Sequence, residues 1–345
     1  MIDKEEKKRN DRTWCFWEIE NGFFEEIVYR QWPAFDFLSE SYTATLTITP
    51  YQYKMIRGKD FYQYCFNEIS KHSNIDFVYG EVNNSYHHKE GITIRLDNKT
   101  LHSGHATVFN SIPRPSLSKK GDIRLIQHFK GWVIQTKQPS FNKDKPILMD
   151  FRIGQDFGTA FVYVLPFSES KALVEYTLFT KELLLPEQYN IQLANYIKEY
   201  SGITDYTIAE EEFGIIPMTN EKFDFYRDGA FHIGTAGGQT KASSGYTFQF
   251  IQKQAQRIVD CLVTGQSLNT IPSAPKKFRF YDNTLLYILY HKKLSGKQIF
   301  TDLFQKNKPQ QVLRFLDNES SLIDELKIIS SLPAWPFLKA AFRQL

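Results

Sequence analysis

The sequence predicts a mixed α/β chain, in which strands from distant segments build an antiparallel sheet and a helical tail closes the molecule. Three observations predict it. Strand signals dominate from Asp122 to Thr177, in four runs separated by three sharp breaks. A strand, a glycine loop and a long helix follow one another in "GAFHIGTAGGQTKASSGYTFQFIQKQAQRIVDCL". After Ser273 the chain reads as mostly helical to Leu345.

The elements follow in order. "MIDKEEKKRNDRTWCFWE" opens with an apolar pair running into Asp3, the way a buried parallel strand ends on an acid. In "KDFYQYCFNEISKHS", Phe61, Cys65 and Ile69 recur every four residues and mark one face of a short helix. "DFVYGEVNNSYHH", "GITIRL" and "NKTLHSGHATVFNSI" read as short strands. "IRLIQHFKGWVIQT", "ILMDFRI", "TAFVYVLPF" and "ALVEYTLF" form the antiparallel sheet. "PEQYNIQLANYIKEYSG" is a helix with Pro at its first position and Gly past its end. "YTIAEEEFGIIPM" returns to strand. "PKKFRFYDNTLLYILYHKKL" is an amphipathic helix with basic ends.

Composition excludes several classes. The 345 residues are enough for roughly two domains. Lys and Arg (42) nearly balance Asp and Glu (39), and no basic stripe runs along the chain, so nucleic acid is not indicated as a partner. Cys15, Cys65 and Cys261 are an odd number without Cys-x-x-Cys or zinc spacing, which reads as free thiols in a reducing compartment. The eight histidines show no ligand spacing, so no metal is expected. No apolar run reaches 18 residues, and the charged N-terminal stretch does not read as a secretory signal.

Two stretches carry chemistry. In "FHIGTAGGQTKASSGYTFQF", Gly237 and Gly238 let a backbone approach something closely. The helix after the loop presents free N–H groups suited to a phosphate or an electron-rich ring, although a Gly-Gly pair taken alone favours the simpler reading of a tight turn. In "ALVEYTLF", Glu175 shares a strand face with Leu173 and Thr177. A strand glutamate ordinarily faces solvent; the alternative is a carboxyl in an apolar cavity, where desolvation keeps it protonated.

These stretches together resemble the flavin-dependent lycopene cyclase family of carotenoid biosynthesis. "MDFR", "FVYVLPFS" and "ALVEYT" follow the family's run in order and spacing, with "NDRTWCFWE", "IQHFKGWVI", "FGIIPM", "GTAGGQTKASSGYTF" and "RFYDNTLLYIL" in family order around them. The resemblance covers nearly the whole chain. It implies an FAD-binding Rossmann-like domain interleaved with an antiparallel substrate-binding sheet. Residues 1–120 would be part of the FAD-binding domain with inserted strands, 121–205 the substrate sheet, 206–272 the return to the FAD-binding domain and 273–345 the helical tail. Family members carry a strand, a Gly-x-Gly-x-x-Gly turn and a helix, about 30 residues, before the strand that ends near Asp3. No such fingerprint occurs in this chain, so a fragment with weak flavin binding and impaired activity is expected.

The resemblance also implies a reaction and its residues. Lycopene, a linear polyene, would have its ends closed into six-membered rings, of the β type, by protonation, ring closure and proton loss. Reduced FAD would assist, with NAD(P)H as electron donor not consumed in the chemistry. Glu175 would be the general acid. The family commonly has a second acid beside it, where this chain has Tyr176, so either Asp150 is the paired acid or none is needed; Arg152 would hold Asp150 or a flavin phosphate, and the sequence does not decide between these. Flavin contacts fall on Asp3 (ribose), Arg12, Thr235, Gly237, Gly238, Gly245 and Tyr246, with Thr13 near the ring. Trp14, Phe16, Trp17 and Tyr163 are candidates to face the cation, or plain core aromatics. The substrate's insolubility implies a cytoplasmic enzyme peripherally bound to the membrane, through "NTLLYILYHKKL" or "LPAWPFLKAAFRQL". The alternatives are a related FAD-dependent isoprenoid oxidoreductase and an inactive truncated chain.

Overall fold

A computed structural model of the chain describes residues 1–104, 106–113, 121–273 and 275–344. Its centre is a seven-stranded sheet. The strand order is Tyr206–Thr219, Arg124–Thr136, Lys171–Thr180, Thr159–Pro166, Ile147–Asp150, Ala34–Leu38 and Thr43–Thr47. All neighbours are antiparallel except Ile147–Asp150 and Ala34–Leu38, which run parallel. The antiparallel sheet expected beyond Asp122 is therefore present. It is extended at one end by two strands from the first fifty residues, which the sequence patterns did not reveal.

Period-two alternation divides the sheet into two faces. On Lys171–Thr180, Ala172, Val174, Tyr176 and Leu178 pack with Tyr189, Leu193, Tyr196 and Ile197 of the helix Pro186–Glu199. That helix begins on Pro186, whose missing N–H is an orphan at a helix start in any case, and Gly202 follows its end at φ +66°. On the opposite face Leu173 and Phe179 join a core with Phe151 and Phe161, sealed by Leu286, Ile288, Phe300 and Phe304 of the tail. Each such side chain, fully buried, stabilises the fold by about 1.5–3 kcal/mol relative to exposure.

Four smaller sheets complete the described strands. Thr13–Glu18, Gln52–Arg57 and Arg30–Trp32 form an antiparallel sheet whose Trp17, Trp32, Tyr53 and Met55 join the same core. Ile2–Asp3 pairs in parallel with Val78–Tyr79, and Phe109–Asn110 pairs in parallel with Ala230–His232, whose other neighbour is the antiparallel Tyr226–Arg227. Val82–His88, Gly91–Leu96 and Thr100–Ser103 form an antiparallel meander. From His232 the chain enters a short 3-10 turn, Gly234–Gly237, and Gly238 turns it at φ +73°. A loop of nine residues then leads to the helix Phe248–Thr264, so the glycines do not open that helix directly. The tail is helical as expected, in five pieces: Lys276–Tyr290, Gly296–Lys306, Pro309–Leu316, Leu322–Ser331 and Ala334–Phe342. No helix among the described residues is long and apolar enough to cross a membrane.

Candidate active site

The sheet register builds the site. Glu175 lies opposite Tyr163 on one side and Gly131 on the other, and Gly131 lies opposite Glu212. One row across four strands thus reads Tyr163, Glu175, Gly131, Glu212, all on the face turned away from the helix Pro186–Glu199. Two strand spacings separate the backbones of the two glutamates by about 10 Å. Their side chains bridge that distance because the residue between them has none. A Cβ added at Gly131 would fall 3.0 Å from Glu212 Cγ, 3.3 Å from Glu212 Oε1 and 2.8 Å from Leu173 Cδ1.

Hydroxyls hold the outer side of each carboxyl. Thr177 Oγ1 donates to Glu175 Oε1 at 2.9 Å, and Thr13 Oγ1 donates to Glu212 Oε2 at 2.8 Å. Glu212 is 6% exposed, and Glu175 keeps some exposure as a wall of a cavity. Loss of hydration, then the facing charge of Glu212, pushes Glu175 well above the ordinary carboxyl range. Burial likewise raises Glu212, against the lowering effect of the neighbouring Glu175 carboxyl and of its bond from Thr13.

The cavity measures about 350 Å³, within the range of small-molecule sites. Glu175 shares its wall with Phe129, Tyr163, Leu165 and Leu173 from the sheet, Trp14 and Cys15 from the N-terminal strand, and Phe248 from the start of its helix. Arg12 reaches the rim, paired with Asp11 at 2.9 Å and stacked 5.7 Å from the Trp14 ring. Thr235, Ser244, Gly245 and Tyr246 line the side formed by the glycine loop. Gly245 has φ +74°, and a Cβ there would run into Gln127 Oε1.

Four buried polar atoms in this lining have no hydrogen-bond partner: Trp14 Nε1, Gln127 Oε1, Ser244 Oγ and the Tyr246 hydroxyl. A donor, an acceptor and two hydroxyls left unpaired around one cavity are costly unless a ligand with both donors and acceptors meets them. The edge of an isoalloxazine ring has that character, and the residues present fit such a group.

The structure brings Glu175, Arg12, Thr235, Gly245 and Tyr246 to this cavity, and also Thr13, Trp14 and Tyr163. It does not bring Asp150. That carboxylate is on the opposite face, held by Arg152 at 2.9 and 2.6 Å and by the Tyr196 hydroxyl at 2.8 Å. The expectation that Asp150 pairs with Glu175 is therefore corrected: Asp150 shares its row with Val162 and Tyr176, one step from Glu175's row. Tyr176 faces the same helix, since neighbours along a strand point to opposite sides. Phe16 and Trp17 are core residues. Gly237 and Gly238 serve the protein's own packing, since side chains there would meet the His232 carbonyl and Phe223. Asp3 ends its parallel strand, bonds the Glu5 N–H and sits 3.4 Å from Lys7 Nζ, outside the cavity lining. Among the described residues no group of three His, Cys, Asp or Glu is placed to hold a metal ion.

Sequence reasoning missed Glu212, which sits last in the acidic run Glu210–Glu212. The signal that pointed to it was Gly131, since a glycine inside a strand marks a close approach by something else.

The chain matches the family model described as "Lycopene cyclase protein" over residues 1–342. A lycopene beta-cyclase from Paracoccus sp. (strain N81106 / MBIC 01143) is 24% identical over 225 residues, which is 61% of this chain and 57% of that protein. The match thus spans little more than half the length of that relative. Among solved structures, the flavin-dependent brominase Bmp2 superposes with a TM-score of 0.57 at 15% identity, covering 99% of this chain and 92% of that one. A geranylgeranyl bacteriochlorophyll reductase-like protein from Thermoplasma acidophilum gives 0.53 at 12% identity, covering 99% and 88%. Klebsiella pneumoniae HpxO, solved with FAD and uric acid, gives 0.54 at 9% identity, covering 92% and 87%. At such identities these likenesses establish the fold, an α/β architecture used by FAD-dependent enzymes. With the family match running through almost every residue, the chain belongs to the lycopene cyclase family.

Proposed function

We propose that this protein closes the linear ends of lycopene into six-membered rings of the β type, by acid-initiated cyclisation with no net redox change. The observation that carries the reading is the Glu175 carboxyl, set in an apolar-walled cavity and raised above its ordinary range by burial and by Glu212. Family membership and the Paracoccus relative support the substrate class.

Glu175 is the proton donor. A neutral carboxylic acid at pH 7 is what an alkene requires, and an alkene is so weak a base that the cation formed must be stabilised where its charge develops. The faces of Trp14, Tyr163 and Phe129 line the space in which it would form. The apolar wall keeps water from trapping it. FAD, in its reduced form and with NAD(P)H as donor, would supply negative charge beside that cation. Arg12, Thr235, Gly245 and Tyr246 would hold it, joined by the unpaired atoms of Trp14, Gln127 and Ser244. Asp3 is proposed for its ribose hydroxyls.

A membrane surface is the proposed source of substrate. Of the two interfacial candidates, Asn283–Leu294 is packed into the protein, with Leu286, Ile288 and Leu289 buried. The last helix instead exposes Trp335, Leu338 and Phe342 beside Lys339 and Arg343, which supports a peripheral contact there.

The test is conversion of lycopene in liposomes by purified protein with FAD and NADPH, without oxygen. A cyclic carotene is expected from the wild type and none from folded Glu175→Gln. NADPH oxidised mole for mole with product would replace this reading with that of an isoprenoid reductase.

A further inference from the structure

We propose that Glu175 and Glu212 act as one acid, holding a single proton between them across the gap at Gly131, with Glu212 as the residue that positions and retains that proton. The inference rests on the cyclase reading for its purpose, but not for its geometry.

Three observations carry it. First, the row places both glutamates on the same sheet face with only a glycine between them. Second, the outer oxygens are already served, Glu175 Oε1 by Thr177 and Glu212 Oε2 by Thr13, which leaves the remaining oxygens for each other. Third, Glu212 Oε1 is buried without a hydrogen-bond partner, and it lies over the Gly131 gap, 3.3 Å from where a Cβ would be. A buried acceptor over that gap needs a donor, and a protonated Glu175 is the donor that faces it.

The surroundings favour one proton over none. Tyr163 flanks Glu175 in the same row, and Cys15 faces both carboxyls from the N-terminal strand. Asp11 and Glu210 add negative charge near Glu212. Arg12 is the cation that reaches Glu212, and its guanidinium is already engaged by Asp11. Two ionised carboxylates would add repulsion to a desolvated site, so the pair gives up its last proton reluctantly and titrates as a unit.

The chemistry balances with this proton alone. The O–H bond breaks with its electron pair left on oxygen, and the π pair of the terminal alkene forms the new C–H bond. The next π pair closes the ring onto the tertiary cation. Loss of a ring proton restores a double bond and returns one proton to the pair. The two carboxylates formed in between lie on the side of the cation and oppose their own separation from it.

The test is a pH titration of protonated carboxyl bands by infrared difference spectroscopy, on the purified chain without lycopene. The wild type is expected to hold one protonated carboxyl well above neutral pH. Glu212→Gln should lower its midpoint by about one pH unit or more, and the double variant with Glu175→Gln should lose the band. Thr13→Val keeps both carboxyls and guards against misfolding of Glu212→Gln; it should raise the midpoint by removing the donor to ionised Glu212. In turnover, Glu212→Gln should pull the alkaline limb of kcat to lower pH with KM unchanged, and Glu212→Asp should restore part of it. A band whose midpoint is the same in wild type, Glu212→Gln and Thr13→Val overturns the proposal. A wild type with the shared band but no cyclic product overturns the cyclase reading and leaves the shared proton standing.

Discussion

Lys241 Nζ lies 2.8 Å from Asp282 Oδ1, and the two residues are only 3% and 7% exposed. Ser243 donates to the same carboxylate oxygen at 2.6 Å, and the ammonium also reaches Asn318 Oδ1 at 2.8 Å. The Lys241 backbone N–H, in turn, holds the carbonyl of Tyr246 at 2.8 Å. A buried ion pair between this loop and Asp282 of the helix Lys276–Tyr290 thus fixes the loop that carries Gly245 and Tyr246 into the cavity.

Breaking that pair from one side should be severe. Asp282→Asn leaves a buried ammonium without its counter-charge, and about 3–5 kcal/mol of stability should be lost in urea unfolding. The double replacement Lys241→Met with Asp282→Leu should cost less than either single change. If the single change is silent, the pair does not anchor the loop.

Gly131→Ala should damage the site more than the sheet. Its methyl would press on Leu173 and enter the space between the two glutamates. A stability loss of about 1–3 kcal/mol is expected, together with a fall in kcat on folded protein far larger than any change in KM. Full activity in Gly131→Ala would show that the two carboxyls need not meet.

Asp150→Asn should do the reverse. It removes the charge held by Arg152 and Tyr196 beneath the helix Pro186–Glu199, so melting should fall while turnover per folded molecule is kept. A variant that folds normally and makes no product would return Asp150 to the chemistry.

Stability should fall at both ends of the pH range, for opposite reasons. Glu175 has a raised folded pKa, so its contribution is complete below the unfolded value of 4.5 and lost as pH rises through the folded one. Glu175→Gln should flatten that alkaline decline in Tm. His128 is buried between Thr180 and Tyr189, and burial lowers it from 6.5 to about 4. Its contribution is complete above 6.5 and lost as pH falls toward 4, so His128→Asn should have a lower Tm at neutral pH and a shallower acid decline. Parallel curves for wild type and variant would remove the residue from the limb assigned to it.

Much of this was legible in the sequence where the signal is local. Alternation in "ALVEYTLF" put Glu175 on a defined face, and Pro186 with Gly202 bounded a helix correctly. What stayed hidden depends on who pairs with whom. Ala34–Leu38 joins the sheet beside a strand more than a hundred residues away, and no pattern within it announces that partner. Glu212 matters because of a residue two strands over. Asp150 was misplaced because its strand pairs irregularly, with the register shifting between Ile147 and Asp150, so its face could not be counted from a neighbour. Gly237 and Gly238 look like a ligand cradle in sequence, but a glycine needed by a ligand and one needed by a neighbouring carbonyl read alike.

A carboxyl rooted in mid-strand, hydrogen-bonded into the sheet on both sides, cannot travel. On the proposed reading Glu175 would deliver its proton at one fixed point, and a molecule with two identical ends would have to do the moving itself. After a first closure the half-finished product would have to back out, turn end for end and enter again. The one-ringed compound should then appear first in solution or lipid as a free species, and dilution of the enzyme into excess fresh lycopene should hold the reaction there.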